Sequence, residues 1–357
     1  MKKENNQKYK YDSAKQRGGV PSEVWKERTP REEVIEALPQ IQEILLGMIL
    51  MVDKICRKHH IQYFLGGGTL LGAVRHGGFI PWDNDADLML TRPEYDRLLA
   101  VLPQELPAGV FIQNCETDPL NHQPFIKLRL DGTVYSTEFT AKYPDMHNGL
   151  FIDILAQDMT GPSKWARKKH LYETMLVRSL VFHKWDKSPV RRGVSDEEDA
   201  ETDDLDPKDG GLSGENGQGK AKRKKKQKLR WDERICTILK DILPQKWLDR
   251  RMMKVLVRYQ GKDYGLLYDG MGRNIGRGAF PAKWLREDVR LPFHGYRLPV
   301  PEAYDRYLTY LYGDYRTPPP EKERELAHSI PHLYLGKFAS YRVADDPERK
   351  MHVTEEK

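Results

Sequence analysis

A chain of 357 residues, 39% hydrophobic and 31% charged, can bury a core as one large or two small domains, yet is polar enough to leave segments unfolded. Its net charge of +6 is modest, and its three cysteines (Cys56, Cys115, Cys236) are too far apart for metal-ligand spacing or a disulfide framework. The N-terminus has no apolar signal-peptide core, and the longest apolar run, Ile44 to Val52, is too short for a bilayer, so the expected location is the cytosol.

Residues 1–30 are polar and read as a poorly ordered tail. From Val34 to Cys56, Ile41, Leu45, Met48, Val52 and Ile55 recur at helical spacing, as one helix or as two separated near Pro39. Cys56 falls on the apolar face, as a buried small hydrophobe. Gln62 to Leu65 reads as a short strand ending in Gly66-Gly67-Gly68, and Thr69 opens a helix through about Arg75. Ala86 to Thr91 is the next strand, and Pro93 sits in the first turn of the helix after it. Phe111 to Asn114 and Phe125 to Glu138 are strand-like, with a tight hairpin turn at Asp131-Gly132. Gly149 to Leu155 is an apolar strand carrying Asp153, Asp158 follows in a loop, and a basic amphipathic helix spans about 163–184.

Residues 187–228 break the pattern, with an acidic run (196–206), a glycine-rich stretch and a basic tract (Lys220 to Lys228). Such blocks cannot bury apolar surface and read as a disordered insertion within the fold. Helical patterns resume over 229–259, and a Gly-, Pro- and Tyr-rich C-terminal third carries a helix near 301–312. Strands interleaved with helices predict an α/β fold with a mixed sheet: a single domain over 31–335, with a tail over 336–357.

Asp83, Asp85 and Asp87 point one way if they lie on a strand, while Ala86, Leu88 and Leu90 point into a core. Carboxylates on one face repel unless a cation lies between them, and magnesium takes carboxylate oxygens together with substrate phosphates. A solvated acidic turn is the competing reading. The glycine turn upstream favours chemistry, because glycines between strand and helix let backbone N–H groups approach a phosphate. It is neither a Walker A loop nor G-x-G-x-x-G. Asp153, between Ile152 and Ile154, needs either a metal or a basic partner at a sheet edge.

The run from Tyr63 to Leu90, YFLGGGTLLGAVRHGGFIPWDNDADL, resembles the LicD family of phosphotransferases, of the nucleotidyltransferase-fold superfamily that includes the fukutin-type enzymes. Gly67 and Gly68 match the superfamily's glycine turn, Asp85 and Asp87 its acidic pair, and Asp153 in Gly149 to Leu155 its third acid. Segments 280–284, 298–308 and 311–319 are similar to the family's C-terminal part, so the likeness covers roughly 35–185 and 230–335. Asn84 stands where the family often has another Asp, and the 187–228 insertion is a further departure.

The resemblance implies a nucleotidyltransferase-like core with a helical C-terminal extension. It implies transfer of a phospho-alcohol, typically phosphocholine, from a CDP-activated donor to a hydroxyl of a cell-surface glycan or glycolipid such as teichoic acid or lipopolysaccharide. It also implies Mg2+ or Mn2+ on Asp85, Asp87 and Asp153; of these carboxylates, Asp153 is the one expected to take the acceptor's proton. Gly67, Gly68, Thr69, Arg75, Trp82, Lys127, Arg129, Arg273 and Arg277 are the expected donor-binding residues, Arg75 foremost for phosphate. His76, His328 and His332 are weaker pocket candidates. CDP-ribitol or CDP-glycerol as donor, and nucleotidyl transfer at the α-phosphate of a nucleoside triphosphate, remain alternatives. The non-enzymatic alternative is a binder of nucleic acid or an anionic membrane through 220–228; the enzyme itself is expected to make at most peripheral contact with an anionic membrane and to bind no specific nucleic acid.

Overall fold

The structure is a computed structural model that describes residues 20–186, 239, 242–272, 278–348 and 351. The insertion at 187–228, the basic tract within it, Cys236, Arg273 and Arg277 lie outside the described residues.

Helix α1 (Arg31–Lys58) is the central pillar. It is one helix and not two. Pro39 removes a single hydrogen bond, to the carbonyl of Ile35, a residue 48% exposed to water that can take its place. Among the described residues α1 alone is long and apolar enough to cross a membrane. Here Ile41, Ile44, Leu45, Met48, Ile49 and Val52 are sealed in the protein core. Cys56 is buried among them as a free thiol, its pKa pushed up by burial and by Asp53.

Strand β1 (Phe64–Leu65) leads into α2 (Gly67–His76), followed by β2 (Asp87–Thr91) and α3 (Arg92–Glu105). Next come β3 (Val110–Gln113), β4 (Ile126–Leu130), β5 (Val134–Ser136), β6 (Phe151–Met159) and α4 (Lys164–Asp186). The chain resumes with α5 (Gln245–Leu256), β7 (Leu266–Tyr268), β8 (Ala279–Pro281), the β9 (Asp288–Phe293) and β10 (Tyr296–Pro301) hairpin, α6 (Tyr304–Tyr312) and β11 (His332–Tyr334). The main sheet has seven strands in the order β1-β2-β6-β4-β3, with β7 on β6 and β8 on β7. Among the described residues only β2 and β6 run parallel, so the expected mixed α/β sheet is present. Leu88, Leu90, Ile152 and Ile154 are fully buried, as central strands covered on both faces require.

Several local expectations give way. Gly132 does turn, at φ +73°, but β4 and β5 do not pair. Both edges of β4 are taken, by β3 and β6, so β5 leaves the sheet and pairs with distant β11. Asp158 is not in a loop: it lies in β6, buried, and accepts two hydrogen bonds from Arg92, Nε to Oδ1 at 2.6 Å and Nη2 to Oδ2 at 2.8 Å. The terminal segments are docked where they are described. Thr29 N–H donates to the Pro331 carbonyl, and Trp25 packs on His332. Beyond 335, Phe338, Tyr341 and Val343 are buried, Tyr341 against Gly47 of α1, where any side chain would strike its ring. Gln40 of α1 donates to the carbonyls of Phe338 and Tyr341, so this part of 336–357 is not a tail.

Candidate active site

The site begins where β1 hands the chain to α2. Gly66 N–H donates to the Asp87 carbonyl at 2.8 Å, and Thr69 Oγ1 accepts the Asp87 N–H at 2.9 Å. The start of β2 is thereby pinned to the first turn of α2. The glycines are required by what they face. Gly67 has φ +46°, and a Cβ on it would lie 2.6 Å from Asp87 Oδ2. A Cβ on Gly68 would lie 2.7 Å from Asp83 Oδ2. The positive end of α2 thus rests directly on two carboxylates.

Residues 80–83 form a turn, with Pro81 second in it and Asp83 N–H donating to the Ile80 carbonyl at 2.9 Å. Gln42 of α1 holds this turn by donating to the carbonyls of Ile80 and Asp83. Asp83 and Asp85 therefore sit on a braced loop, and the strand begins only at Asp87. Parallel pairing of β2 with β6 sets Asp87 beside Asp153, and antiparallel pairing of β4 with β6 sets Lys127 on the other side of Asp153. Lys127 Nζ contacts Asp153 Oδ1 at 2.5 Å and lies 3.8 Å from the centre of the Phe151 ring. Burial depresses the Lys127 pKa, and Asp153 opposes that. The basic partner considered for Asp153 is therefore present.

Burial first, and then the Asp85 carboxylate, pushes both Asp83 and Asp87 well above the usual carboxylate range. Asp83 also hydrogen-bonds Asp85, while Asp153 and Asp269 add to the push on Asp87 and Lys127 resists it. Among the described residues no three acidic, histidine or cysteine side chains are gathered as a ready-made metal site: Asp153 is drawn to Lys127 and Asp85 to His328.

A C-terminal strap closes over the acidic loop. Asn84, fully buried, donates through Nδ2 to the His328 carbonyl at 2.9 Å and accepts the His328 N–H on Oδ1 at 3.0 Å. An aspartate could only accept, so the departure at position 84 is what makes this two-point clamp possible. The clamp sets His328 Nε2 2.9 Å from Asp85 Oδ2. Tyr135 OH donates to the Asn84 carbonyl at 2.6 Å and braces the loop from β5. Four residues before His328, the Arg324 guanidinium lies 5.1 Å from the centre of the Trp82 ring. Trp82 also meets His76 edge-on. Arg75 donates to the Tyr315 carbonyl and to His76, and its pKa is lowered by burial and then by the charge of Arg324. Trp82, in the turn that carries Asp83, is thus met by Arg324 and His76, with Arg75 beside them.

Other expected residues are placed elsewhere. Arg129 is buried, with Nε donating to Gln113 Oε1 and Nη1 to the Gly149 carbonyl, so it ties β4 to the loop before β6. Thr69 is fully buried and acts through Asp87. His332 contacts Trp25 and the Glu27 carbonyl, away from the acidic loop. Arg324, Asp269 and Tyr135 carry no motif of their own, and tertiary contact alone brings them to the site.

The family model described as LicD/FKTN/FKRP, nucleotidyltransferase domain, matches residues 60–178, which span β1 through most of α4 and contain Asp83, Asp85, Asp87, Lys127 and Asp153. The chain is 26% identical over 307 residues to lipopolysaccharide cholinephosphotransferase LicD of Haemophilus influenzae, covering 84% of this chain and 98% of that protein. It is 35% identical over 71 residues to ribitol 5-phosphate transferase FKRP of Homo sapiens, covering 20% of this chain and 13% of that protein. An uncharacterized protein of Rickettsia prowazekii is 44% identical over 57 residues, 15% of this chain and 21% of its own length. The glycine turn, the braced acidic loop and the paired β2 and β6 carboxylates thus lie within residues 60–178, the part of the chain that matches the LicD/FKTN/FKRP nucleotidyltransferase domain, and through that domain the chain is similar to the LicD/fukutin-type phosphotransferases.

Proposed function

We propose that this enzyme transfers a phospho-alcohol, phosphocholine first among the candidates, from a CDP-activated donor to a hydroxyl of a glycan or glycolipid, releasing CMP. The observation that carries the reading is the carboxylate cluster on the α2 N-terminus, two of whose members resist ionisation as they stand. The near-full-length likeness to a cholinephosphotransferase favours choline over ribitol, since the ribitol phosphate transferase matches over a short stretch only.

Asp85, Asp87 and Asp153 suit a divalent cation of the magnesium type. Their carboxylate oxygens are hard ligands, and the push of Asp85 and Asp153 on the Asp87 carboxyl is a repulsion that a cation would relieve. When bound, magnesium would offset the negative charge of the phosphates. Arg75 and Arg324, close enough to repel each other and with Arg324 over the Trp82 ring next to Asp83, suit the donor's diphosphate. In the transfer the acceptor oxygen forms a bond to phosphorus, the bond from phosphorus to the CMP oxygen breaks, and the acceptor's proton passes to a base. We assign that base to Asp153.

Incubation of the purified chain with CDP-choline, CDP-ribitol or CDP-glycerol, a glycan acceptor and Mg2+ tests this, with CMP release as the readout. CDP-choline should give CMP, and D85A/D87A should abolish it. Pyrophosphate release from a nucleoside triphosphate, with no CMP from any CDP donor, would replace the reading with nucleotidyl transfer. A D153N variant with near-normal turnover would remove Asp153 as the base.

A further inference from the structure

Helix α4 carries large apolar side chains on both faces. One face carries His170, Thr174, Val177, Leu180, Val181 and Trp185, all buried, and its aliphatic part packs on Leu248, Met252, Val255 and Leu256. The opposite face should be polar if it meets only water. Its exposed residues are instead Lys164, Trp165, Lys168, Lys169, Tyr172 and Leu176, spaced along one side of the helix. Trp165 is 72% exposed, Tyr172 61% and Leu176 40%, which is large for aromatic and aliphatic side chains on a solvated helix. Lys169 Nζ lies 5.2 Å from the centre of the Trp165 ring and Lys168 Nζ 5.9 Å from that of Tyr172. No acid belongs to this exposed set. Glu173, at its border, is held by Arg251 and Arg258 of the neighbouring segment.

We propose that the exposed face of α4 docks the protein on an anionic lipid bilayer surface. Tryptophan and tyrosine favour the boundary between headgroups and acyl chains, and a leucine beside them adds apolar area. Three lysines on the same face meet the negative surface potential, two of them with Nζ near the Tyr172 and Trp165 rings. A second copy of the chain fits poorly, because face-to-face pairing would oppose three lysines with three lysines. Nucleic acid would use the lysines but would leave Leu176 in water. This docking role goes beyond the proposed transfer reaction and does not depend on the identity of the donor. It places membrane contact on a folded helix and not on the 220–228 tract.

The test is flotation of the full chain with vesicles of phosphatidylcholine alone and of phosphatidylcholine mixed with phosphatidylglycerol. The chain should float with the mixed vesicles only. K168E/K169E should weaken partitioning by about thirtyfold or more, each lost lysine counting for about fivefold. W165S/Y172S should weaken it by at least about tenfold through lost apolar contact. These side chains are exposed, so the melting temperatures of both variants should match the parent's, which separates docking from folding. Wild-type chain that fails to float with anionic vesicles overturns the proposal. So does equal flotation of both variants, or a lipid-free dimer that W165S/Y172S dissociates.

Discussion

Replacing Gly67 with alanine separates two effects that coincide at one residue. A left-handed backbone costs a non-glycine residue roughly 1–2 kcal/mol, and the φ of +46° imposes that cost on any alanine here. The new Cβ would also lie 2.6 Å from Asp87 Oδ2, where real Cβ contacts are essentially never found. Asp87 cannot retreat as a unit, because Gly66 and Thr69 hold its backbone on both sides. Its carboxylate must therefore swing away, and a displacement on the order of 1 Å at a reacting site costs roughly a hundredfold in rate. Gly77→Ala is the matched control: φ is +65°, and nothing lies within 4 Å of the added Cβ. Both variants should lose about 1–2 kcal/mol in denaturant unfolding, as backbone strain alone requires. Only G67A should lose about a hundredfold in CMP release. Equal turnover in G67A and G77A would show that contact between the glycine turn and Asp87 has no part in catalysis. A far larger unfolding loss in G67A than in G77A would show that the clash is relieved by breaking the fold and not by moving the carboxylate.

Four further outcomes follow from the same geometry. In metal-free protein, native Asp83 and Asp87 hold protons that the unfolded chain releases above the ordinary value of 3.8, so stability should fall as pH rises from that value through their raised native pKa. Added Mg2+ should then raise the melting temperature more at neutral pH than near pH 4, and an equal rise at both would contradict this. Asp158→Ala leaves the Arg92 guanidinium buried with its main partner gone, which should cost about 3–5 kcal/mol in urea unfolding; a loss under about 1 kcal/mol would mean that water reaches the site. His328→Ala should slow CMP release and raise the Mg2+ concentration for half-maximal rate, while His328→Gln, whose amide can take the place of Nε2 against Asp85, should recover part of both. Arg324→Ala should raise KM for the CDP donor by about tenfold to a hundredfold, as loss of a charge-assisted contact of roughly 1.5–3 kcal/mol implies, and an unchanged KM would take Arg324 out of the donor site.

What could be read from the sequence was local in origin. The glycine turn, the acid spacing and the apolar flanks of Asp153 are all contained within short windows, and the parallel pairing of β2 with β6 then sets Asp87 beside Asp153. The failures share the opposite character. Asp131-Gly132 obeys the local rule for a hairpin and does turn, but whether two strands pair depends on whether an edge is free, and β6 has already taken that edge of β4. The segment after 335 reads as a tail, yet Phe338, Tyr341 and Val343 find α1 nearly three hundred residues upstream, where Gly47 leaves room for a tyrosine ring. Arg324 and His328 lie in a loop without periodicity, so no pattern marks Arg324, and His328 stands out only as a histidine. Their meaning comes from Asn84 and Trp82, two residues inside the most legible motif in the chain. Asn84 can both donate to and accept from the His328 backbone, and Trp82 offers a flat face to a guanidinium. The non-acidic residues of the motif are therefore as informative as its carboxylates, because they determine which distant segment closes the site.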